Sequence, residues 1–346
     1  MKLAIWSDLH IGARQYRTDE NNFNAYEWAG YKALKENVKI IKDEKPDLII
    51  NAGDTFETPN PSVLAMKNYF EAMNELKDIP TMTILGNHDF SFANMFNKCS
   101  AVSMATHTYF ADYELKKVEL NDICFIMMPY IYGKTDVIAD YLNSCRKMAL
   151  ESKCSKKILV THGVTERYYR NSFISDPIML SDGLVKLFDL VIIGHIHTPY
   201  DYIESNKTLV LSPGALIDYQ AYEDRTGPII LDTDTMEWHK IKVKTPHIVK
   251  LNCTDKDIND HLKNVTEDIY KITFDGDVNV IDNDLFIKAK NTAVNLTIDV
   301  VKHDEETKVE TEEDLTTKLD IYDWVKENYS DYYEIFKHAQ EDIMSV

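Results

Sequence analysis

Five short segments of the chain carry residues able to bind a cation: Asp8-Leu9-His10, Gly53-Asp54, Gly86-Asn87-His88-Asp89, Thr161-His162-Gly163 and Gly194-His195-Ile196-His197. Five of the eleven histidines fall in them. Imidazole, carboxylate and amide oxygen form a hard-to-borderline N/O donor set that suits manganese, iron or zinc, and no cysteine joins it. Each segment alone is common, because a histidine at a strand end is more often a satisfied structural residue than a ligand. Five in one chain, each following an apolar run, point to one shared site.

The chemistry such a set serves is two-metal hydrolysis. Ions ~3.5–4 Å apart repel one another and need a bridging carboxylate between them. Asp54, after a central apolar run, is the natural bridge. Asp8, His10 and one of the two later histidines complete one ion; Asn87, His162 and the other complete the second. Residues i and i+2 of an extended segment share a face, which predicts that Asp8 and His10 point the same way, and His195 and His197 likewise. Asn87 adds a neutral oxygen that limits the charge of the site. His88 beside it is expected to point elsewhere and to move protons.

Strands must carry these segments. Lys2 to Trp6, Leu48 to Ile50 and Thr81 to Leu85 read as buried strands, as do Ile123–Met127, Lys157–Val160, Leu190–Ile193 and Leu209–Leu211. Apolar residues at helical spacing predict a helix over 23–44, with Phe23, Tyr26, Ala29, Leu34, Val38 and Ile41 on one face and Pro46 as its stop. Further helices are expected over 62–77 and from Phe92 to about Met104. Strands alternating with helices imply a largely parallel, layered α/β sheet, in which ligands bind at the C-terminal strand ends.

Near residue 245 the pattern changes. Residues 247–301 read as a smaller α/β unit with a helix around 257–271 and strands at Val278–Val280, Leu285–Ala289 and Leu296–Val301. Residues 302–317 are charged and nearly devoid of apolar anchors, as in a solvated linker. Lys318 to Met344 carries Leu319, Tyr322, Val325, Tyr329, Tyr332 and Ile335 at helical intervals. The expected division is therefore 1–245, 246–301, 302–317 and 318–346.

Composition narrows the class. Of 346 residues, 44% are hydrophobic and 27% charged, which excludes wholesale disorder and a fibrous architecture. No apolar run approaches the roughly 18–20 residues of a membrane span, and Asp8 and His10 interrupt what a signal peptide would make apolar. The cysteines Cys99, Cys124, Cys145, Cys154 and Cys253 are odd in number and lack CxxC spacing, which argues for a reducing cytoplasm. The net charge is −19; residues 251–346 hold 24 acidic against 10 basic side chains, so simple Coulombic attachment to nucleic acid is weakened. Bound metal ions, a local basic strip or a partner would have to supply the positive field. Without GxxxxGK[ST], GxGxxG or GxSxG, the chain is not expected to bind ATP, a dinucleotide or an acyl substrate.

The order D-x-H, GD, GNHD, H, GHxH over roughly residues 1–230 resembles that of the calcineurin-like metallophosphoesterases. Within that superfamily the chain resembles the SbcD-type recombination nucleases, which pair with an SbcC-type ABC ATPase and have relatives in T-even-like phages. The first motif starts almost at residue 1, and the third reads GNHD. Met128-Pro129-Tyr130 is similar to the family's LPY, and Ser212-Pro213-Gly214-Ala215 to its Pro-Gly segment after GHxH. The resemblance implies a layered α/β metallophosphoesterase β-sandwich flanked by helices, a small α/β capping domain and a C-terminal helical segment that binds the ATPase.

By position, the resemblance puts Asp8, His10, Asp54 and His197 on one Mn2+ and Asp54, Asn87, His162 and His195 on the other, with Mg2+ as a substitute, and makes His88 the catalytic histidine. Glu57 departs from relatives that often have His or Asp there. Either it orients His88 and raises its pKa, as a nearby carboxylate does, or it is a surface loop residue. The implied activity is double-strand exonuclease and single-strand endonuclease cleavage of DNA in recombination, repair and replication, in the cytoplasm (the host's, if phage-encoded). The implied assembly is a homodimer through residues 62–77 and 92–104, where Val63, Met66, Phe70, Met73, Phe92, Met95 and Phe96 supply apolar bulk. Tyr168-Tyr169-Arg170 and Arg14, Arg17, Arg167 and Arg225 are candidate DNA contacts or ordinary packing. The alternative is a small-substrate phosphoesterase or protein phosphatase with the same dinuclear site. A partner-binding scaffold is a third reading, against which all eight site positions hold competent residue types.

Overall fold

The computed structural model describes residues 1–14, 24–97, 99–133, 135–169, 178–217, 227–243 and 245–301. The expected linker 302–317 and C-terminal segment 318–346, with Arg17, Arg170 and Arg225, lie outside these. The strands are β1 (Lys2–Trp6), β2 (Leu48–Asn51), β3 (Thr81–Ile84), β4 (Tyr109–Ala111), β5 (Lys116–Leu120), β6 (Ile123–Met128), β7 (Lys156–His162), β8 (Val164–Thr165) and β9 (Met179–Leu180). Then come β10 (Leu190–Gly194), β11 (Tyr200–Ile203), β12 (Leu209–Ser212), β13 (Ile229–Asp232), β14 (Trp238–Lys240), β15 (Ile248–Thr254), β16 (Ile269–Asp275) and β17 (Asn295–Val300). The helices are α1 (Ala25–Glu44), α2 (Val63–Glu75), α3 (Phe92–Phe96), α4 (Thr135–Glu151), α5 (Glu166–Tyr169), α6 (Asp182–Val185), α7 (Ile258–Lys263) and α8 (Asn283–Thr292).

Two six-stranded sheets, in the orders β14-β13-β1-β2-β3-β4 and β11-β12-β10-β7-β6-β5, form a sandwich. Strands β1 to β4 run parallel, as do β6, β7, β10 and β12. Antiparallel pairing enters through β13, β14, β5 and β11. The central strands are apolar on both sides because both faces are covered. Leu3, Ile5, Leu48 and Ile50 meet Phe125, Val160, Leu190 and Ile192 between the sheets. On the outer face of the first sheet, Ala4, Trp6 and Ile49 pack against Tyr26, Leu34, Ile41 and Tyr69 of α1 and α2. On the outer face of the second, Leu159, Val191 and Ile193 pack against Ile138, Cys145 and Leu184 of α4 and α6. Helix α1 opens on Asn24, whose side chain accepts from the Glu27 N–H, and closes on Lys45 in the left-handed region, just before Pro46.

The two helix-flanked sheets are the layered α/β sandwich that the resemblance implies, each with a parallel core that antiparallel strands extend toward its edges. The helix expected from Phe92 to about Met104 ends at Phe96, and a separate turn of 3-10 helix covers Val102–Met104. Ser100 and Ser103 close that turn through reciprocal bonds between side-chain oxygens and backbone N–H groups, which compete with a continuous helix.

Beyond residue 247, β15, β16 and β17 form a parallel three-stranded sheet. The helix expected around 257–271 covers only Ile258–Lys263. From Ile269 the period changes to two: Tyr270, Ile272 and Phe274 are buried and Lys271, Thr273 and Asp275 exposed, which makes β16. The two strands expected next are helical. Asp277 accepts from the Asn279 N–H and caps a 3-10 turn over Val278–Val280, and Asp282 accepts from the Leu285 N–H and caps α8. Among the described residues, no helix is long and apolar enough to cross a membrane, and no cysteine forms a disulfide.

Candidate metal centre

Every expected ligand lies just past a C-terminal strand end: Asp8 and His10 after β1, Asp54 after β2, Asn87 and His88 after β3, His162 at the end of β7, and His195 and His197 after β10. Backbone bonds lace these loops together. The Asp8 N–H donates to the Gly53 carbonyl at 2.9 Å and the His10 N–H to the Asp54 carbonyl at 3.1 Å. Between the sheets, the His195 N–H donates to Asp8 Oδ1 at 2.9 Å. His162 Nδ1 donates to the Ala52 carbonyl at 2.8 Å.

Extended-strand alternation does not aim these side chains. Asp8 (φ 50°), His10 (φ 44°), Asp54 (φ 51°) and His195 (φ 98°) sit in the left-handed region, which non-glycine residues avoid and which here coincides with the site. His195 and His197 accordingly do not share a side: His197 groups with Asp8 and His10, and His195 with Asp54 and His162. Glycine is required where the loops touch. A Cβ on Gly86 would lie 2.1 Å from Asp54 Oδ1, and one on Gly53 (φ 98°) 2.6 Å from His162 Nδ1.

Asp54 sits between the two groups. Its Oδ2 lies 3.3 Å from His162 Nε2 and 3.7 Å from His10 Nε2. Its Oδ1 accepts the His88 N–H at 2.8 Å. On one side His10 Nε2 faces His197 Nε2 at 3.1 Å. On the other, His162 Nε2 and His195 Nδ1 both lie 2.9 Å from Asn87 Oδ1. Asp8 and Asp54 are 0% and 1% exposed. Histidine rings face Asp54 at 3.3 and 3.7 Å, and Asp8 accepts the His195 N–H, so both buried carboxylates are oriented within the site. Two imidazole nitrogens face to face and two buried carboxylates, with no thiolate, fit hard or borderline divalent cations. The arrangement is a dinuclear-type metal-binding site.

Hydrogen bonds to the far ring nitrogens set the tautomers. A carbonyl only accepts, so His162 carries a proton on Nδ1, and so does His88, whose Nδ1 lies 2.8 Å from the Glu57 carbonyl. His88 does not point away: its ring packs edge-on against His10 at 4.6 Å. Glu57 reaches His10 as well as His88. Its carboxylate is 2.9 Å from His10 Nδ1 and 3.8 Å from His88 Nδ1, within ion-pair reach of both rings, while its backbone carbonyl lies 2.8 Å from His88 Nδ1.

Burial works against the charge of Asp54, yet the His162 ring beside it, with His10 and His88, holds the carboxyl well below its usual range. Burial likewise opposes the His162 imidazolium, and Asp54 outweighs it, lifting His162 to about 9. One organising residue carried no role in the sequence reading. Asp89, 2% exposed, accepts from the N–H groups of Thr55 (3.0 Å), Phe56 (2.9 Å) and Gly86 (3.0 Å), tying the bridge's loop to that of Asn87 and His88. Its only signal was its place directly after Gly86-Asn87-His88. Of the candidate DNA contacts, Tyr168 stacks on Tyr200 at 4.5 Å, Arg167 covers the Tyr202 ring and Arg14 lies 3.4 Å from Glu27.

The sequence profile of the calcineurin-like phosphoesterases matches residues 1–199. A stretch of 91 residues, 26% of this chain, is 37% identical to the DNA double-strand break repair protein Mre11 of Methanococcus maripaludis, and spans 23% of that protein's length. Among solved structures, a dimetal phosphatase from Danio rerio aligns at 11% identity over 70% of this chain and 99% of its own, with a TM-score of 0.42. A protein from Thermus thermophilus aligns at 13% identity over 70% and 99%, with a TM-score of 0.44.

Proposed function

The chain belongs to the calcineurin-like phosphoesterase family, and from that premise we propose that it is a manganese-dependent DNA nuclease of the SbcD type. The observation that carries the hydrolytic reading is the Asp54 carboxylate, buried between two histidine groups with one oxygen facing both. The 91-residue likeness to a protein named for double-strand break repair supports DNA as substrate.

Asp8, His10, Asp54 and His197 would hold one ion and Asp54, Asn87, His162 and His195 the other. When bound, the ions supply charge neutralisation for the phosphoryl oxygens and a nucleophile at neutral pH. The chain's own residues do the rest. Asp54 keeps the two ligand groups in register. Glu57 holds the His10 ring by its Nδ1, leaving Nε2 for metal. His88, steered by the Glu57 carbonyl, presents Nε2 to the leaving sugar oxygen and donates the proton that oxygen needs.

The reading extends to assembly. Residues 318–346 are assigned as the grip on an SbcC-type ABC ATPase, where surplus acid would meet a basic partner surface. A homodimer is assigned to residues 62–77 and 92–104. Met66 and Phe70 pack on the chain's own core with Met73, so the contact falls to the exposed Val63, Leu64 and Met104. The cytoplasm is the assigned compartment.

The test is hydrolysis of blunt, overhanging and circular single-stranded DNA with Mn2+ or Mg2+, beside nitrophenyl phosphate esters. Cleavage of DNA with Mn2+ is the expected result. Turnover of the nitrophenyl esters with none of any DNA would return the chain to the small-substrate phosphoesterases.

A further inference from the structure

An aromatic track leads from the metal centre to the surface. The Tyr130 ring lies stacked beside His195 at 6.4 Å and an interplanar angle of 28°. Tyr132 meets Tyr130 at 4.9 Å, and Phe92 meets Tyr132 at 6.2 Å. Phe92 is 57% and Tyr132 41% exposed. Both are nevertheless braced from beneath. Phe90, 6% exposed, contacts Phe92 at 5.2 Å and Tyr132 at 4.8 Å, and is itself backed by Tyr113 at 5.6 Å. Two exposed rings set on a buried one keep their orientation, so a planar ligand landing on them costs little ordering entropy.

We propose that Phe92 and Tyr132 form a stacking subsite for an unpaired nucleobase beside the phosphodiester held at the metal centre, a proposal that rests on the nuclease reading above. Continuity with His195 ties the subsite to the chemistry. A base within a duplex has both faces covered by its neighbours, whereas a frayed or single-stranded base can turn a face to these rings. Charge gives the second argument. With a net charge of −19 the chain gains little from long-range attraction to a polyanion, and stacking supplies affinity that needs no cation and tolerates any base.

The experiment compares KM, with Mn2+ and the full chain, for a single-stranded thymidine oligonucleotide and for the same backbone made abasic. Wild type should show a KM at least about fivefold higher for the abasic strand, the lower end of what one stacked base contributes. In the Phe92→Leu/Tyr132→Leu variant the ratio should collapse toward one, because the KM for the base-bearing strand rises. Equal KM values in wild type, or a ratio kept in the variant, overturn the proposal. A kept ratio with a lowered sedimentation coefficient would assign the rings to a second copy of the chain. If wild type hydrolyses nitrophenyl phosphate esters but neither oligonucleotide, the nuclease reading itself has failed, and the subsite with it.

Discussion

The backbone N–H of His88 donates to Oδ1 of Asp54 at 2.8 Å, so the residue that would move the proton also anchors the residue that would bridge the ions. The link runs through His88's main chain, which separates the two roles by mutation. Asp54→Ala removes the oxygen facing both histidine groups; hydrolysis should vanish and both metal sites lose occupancy. His88→Ala keeps the amide and hence the anchored carboxylate. It should keep two ions per chain while the rate falls roughly 10²–10⁴-fold, the usual span for a general acid. Metal analysis of the purified variants beside their rates checks this. Loss of both ions from the His88 variant would show that its ring, not its amide, holds the site.

Glu57 touches His10 with its carboxylate and His88 with its carbonyl. Glu57→Gln leaves the carbonyl in place and removes the charge behind a ligand. Metal affinity should fall about 10–100-fold, as for other supporting carboxylates, and at saturating metal the His88-dependent rate should be nearly restored. Calorimetric Mn2+ titration followed by rates at high Mn2+ separates these effects. A rate loss that saturating metal does not repair would mean the carboxylate serves His88 instead.

The residue types and order of the site were legible because each ligand follows or ends a short buried strand, and such strands end visibly at Gly53-Asp54 or Gly86-Asn87. The aim of the side chains was not legible. Asp8, His10, Asp54 and His195 adopt left-handed backbone that no hydropathy pattern encodes, so the argument from strand alternation failed at His195 and His197. The small unit was misread for another reason. Val278-Asn279-Val280 and Leu285–Ala289 look like strands by composition, but the capping aspartates Asp277 and Asp282 decided their conformation. The alternation that defines β16 lay hidden behind Ile258 and Leu262, whose helical spacing continues only as far as Val265.

Asp89 accepts three backbone N–H groups in a site with almost no water access, although burial, with the charge of Asp54, pushes its own pKa up to about 7. Asp89→Ala strands all three donors. With hydrogen bonds to carboxylates worth about 1.5–3 kcal/mol each, a loss of about 3 kcal/mol or more is expected. Asp89→Asn keeps one accepting oxygen and should lose less. Urea unfolding of both variants measures the difference; a wild-type midpoint for Asp89→Ala would show that the loops hold without this clamp.

Three of the seven apolar residues expected at a dimer contact are spent inside the chain: Met73 is buried, and Met66 and Phe70 pack on the core. Val63, 79% exposed, remains on α2 beside Leu64. Val63→Glu should therefore turn a dimer into a folded monomer in sedimentation at micromolar concentration, with an unchanged circular dichroism spectrum. A dimer that survives this substitution uses another surface.

His162 couples metal loading to pH. Without metal, Asp54 holds its imidazolium up to about 9 from an ordinary 6.5, so at neutral pH the ring carries a proton that a cation must displace. Metal affinity should rise by about tenfold per pH unit through this term between pH 7 and 9, and then level off. The stability of the metal-free protein should move the opposite way. The folded state binds the His162 proton more tightly than the unfolded chain does, so this contribution is complete below 6.5 and is lost as pH rises through about 9. Calorimetric Mn2+ titrations at pH 7 and 8, each in two buffers of different ionisation enthalpy, count the protons released. Urea unfolding of the chelator-treated protein from pH 6 to 10 follows the stability. One proton leaving per pair of ions at pH 7, with apo stability falling toward pH 9, is the expected pair of results. Affinity that stays flat from pH 7 to 9 with no proton release would mean that the His162 ring is already neutral and that Asp54 is balanced by some other charge.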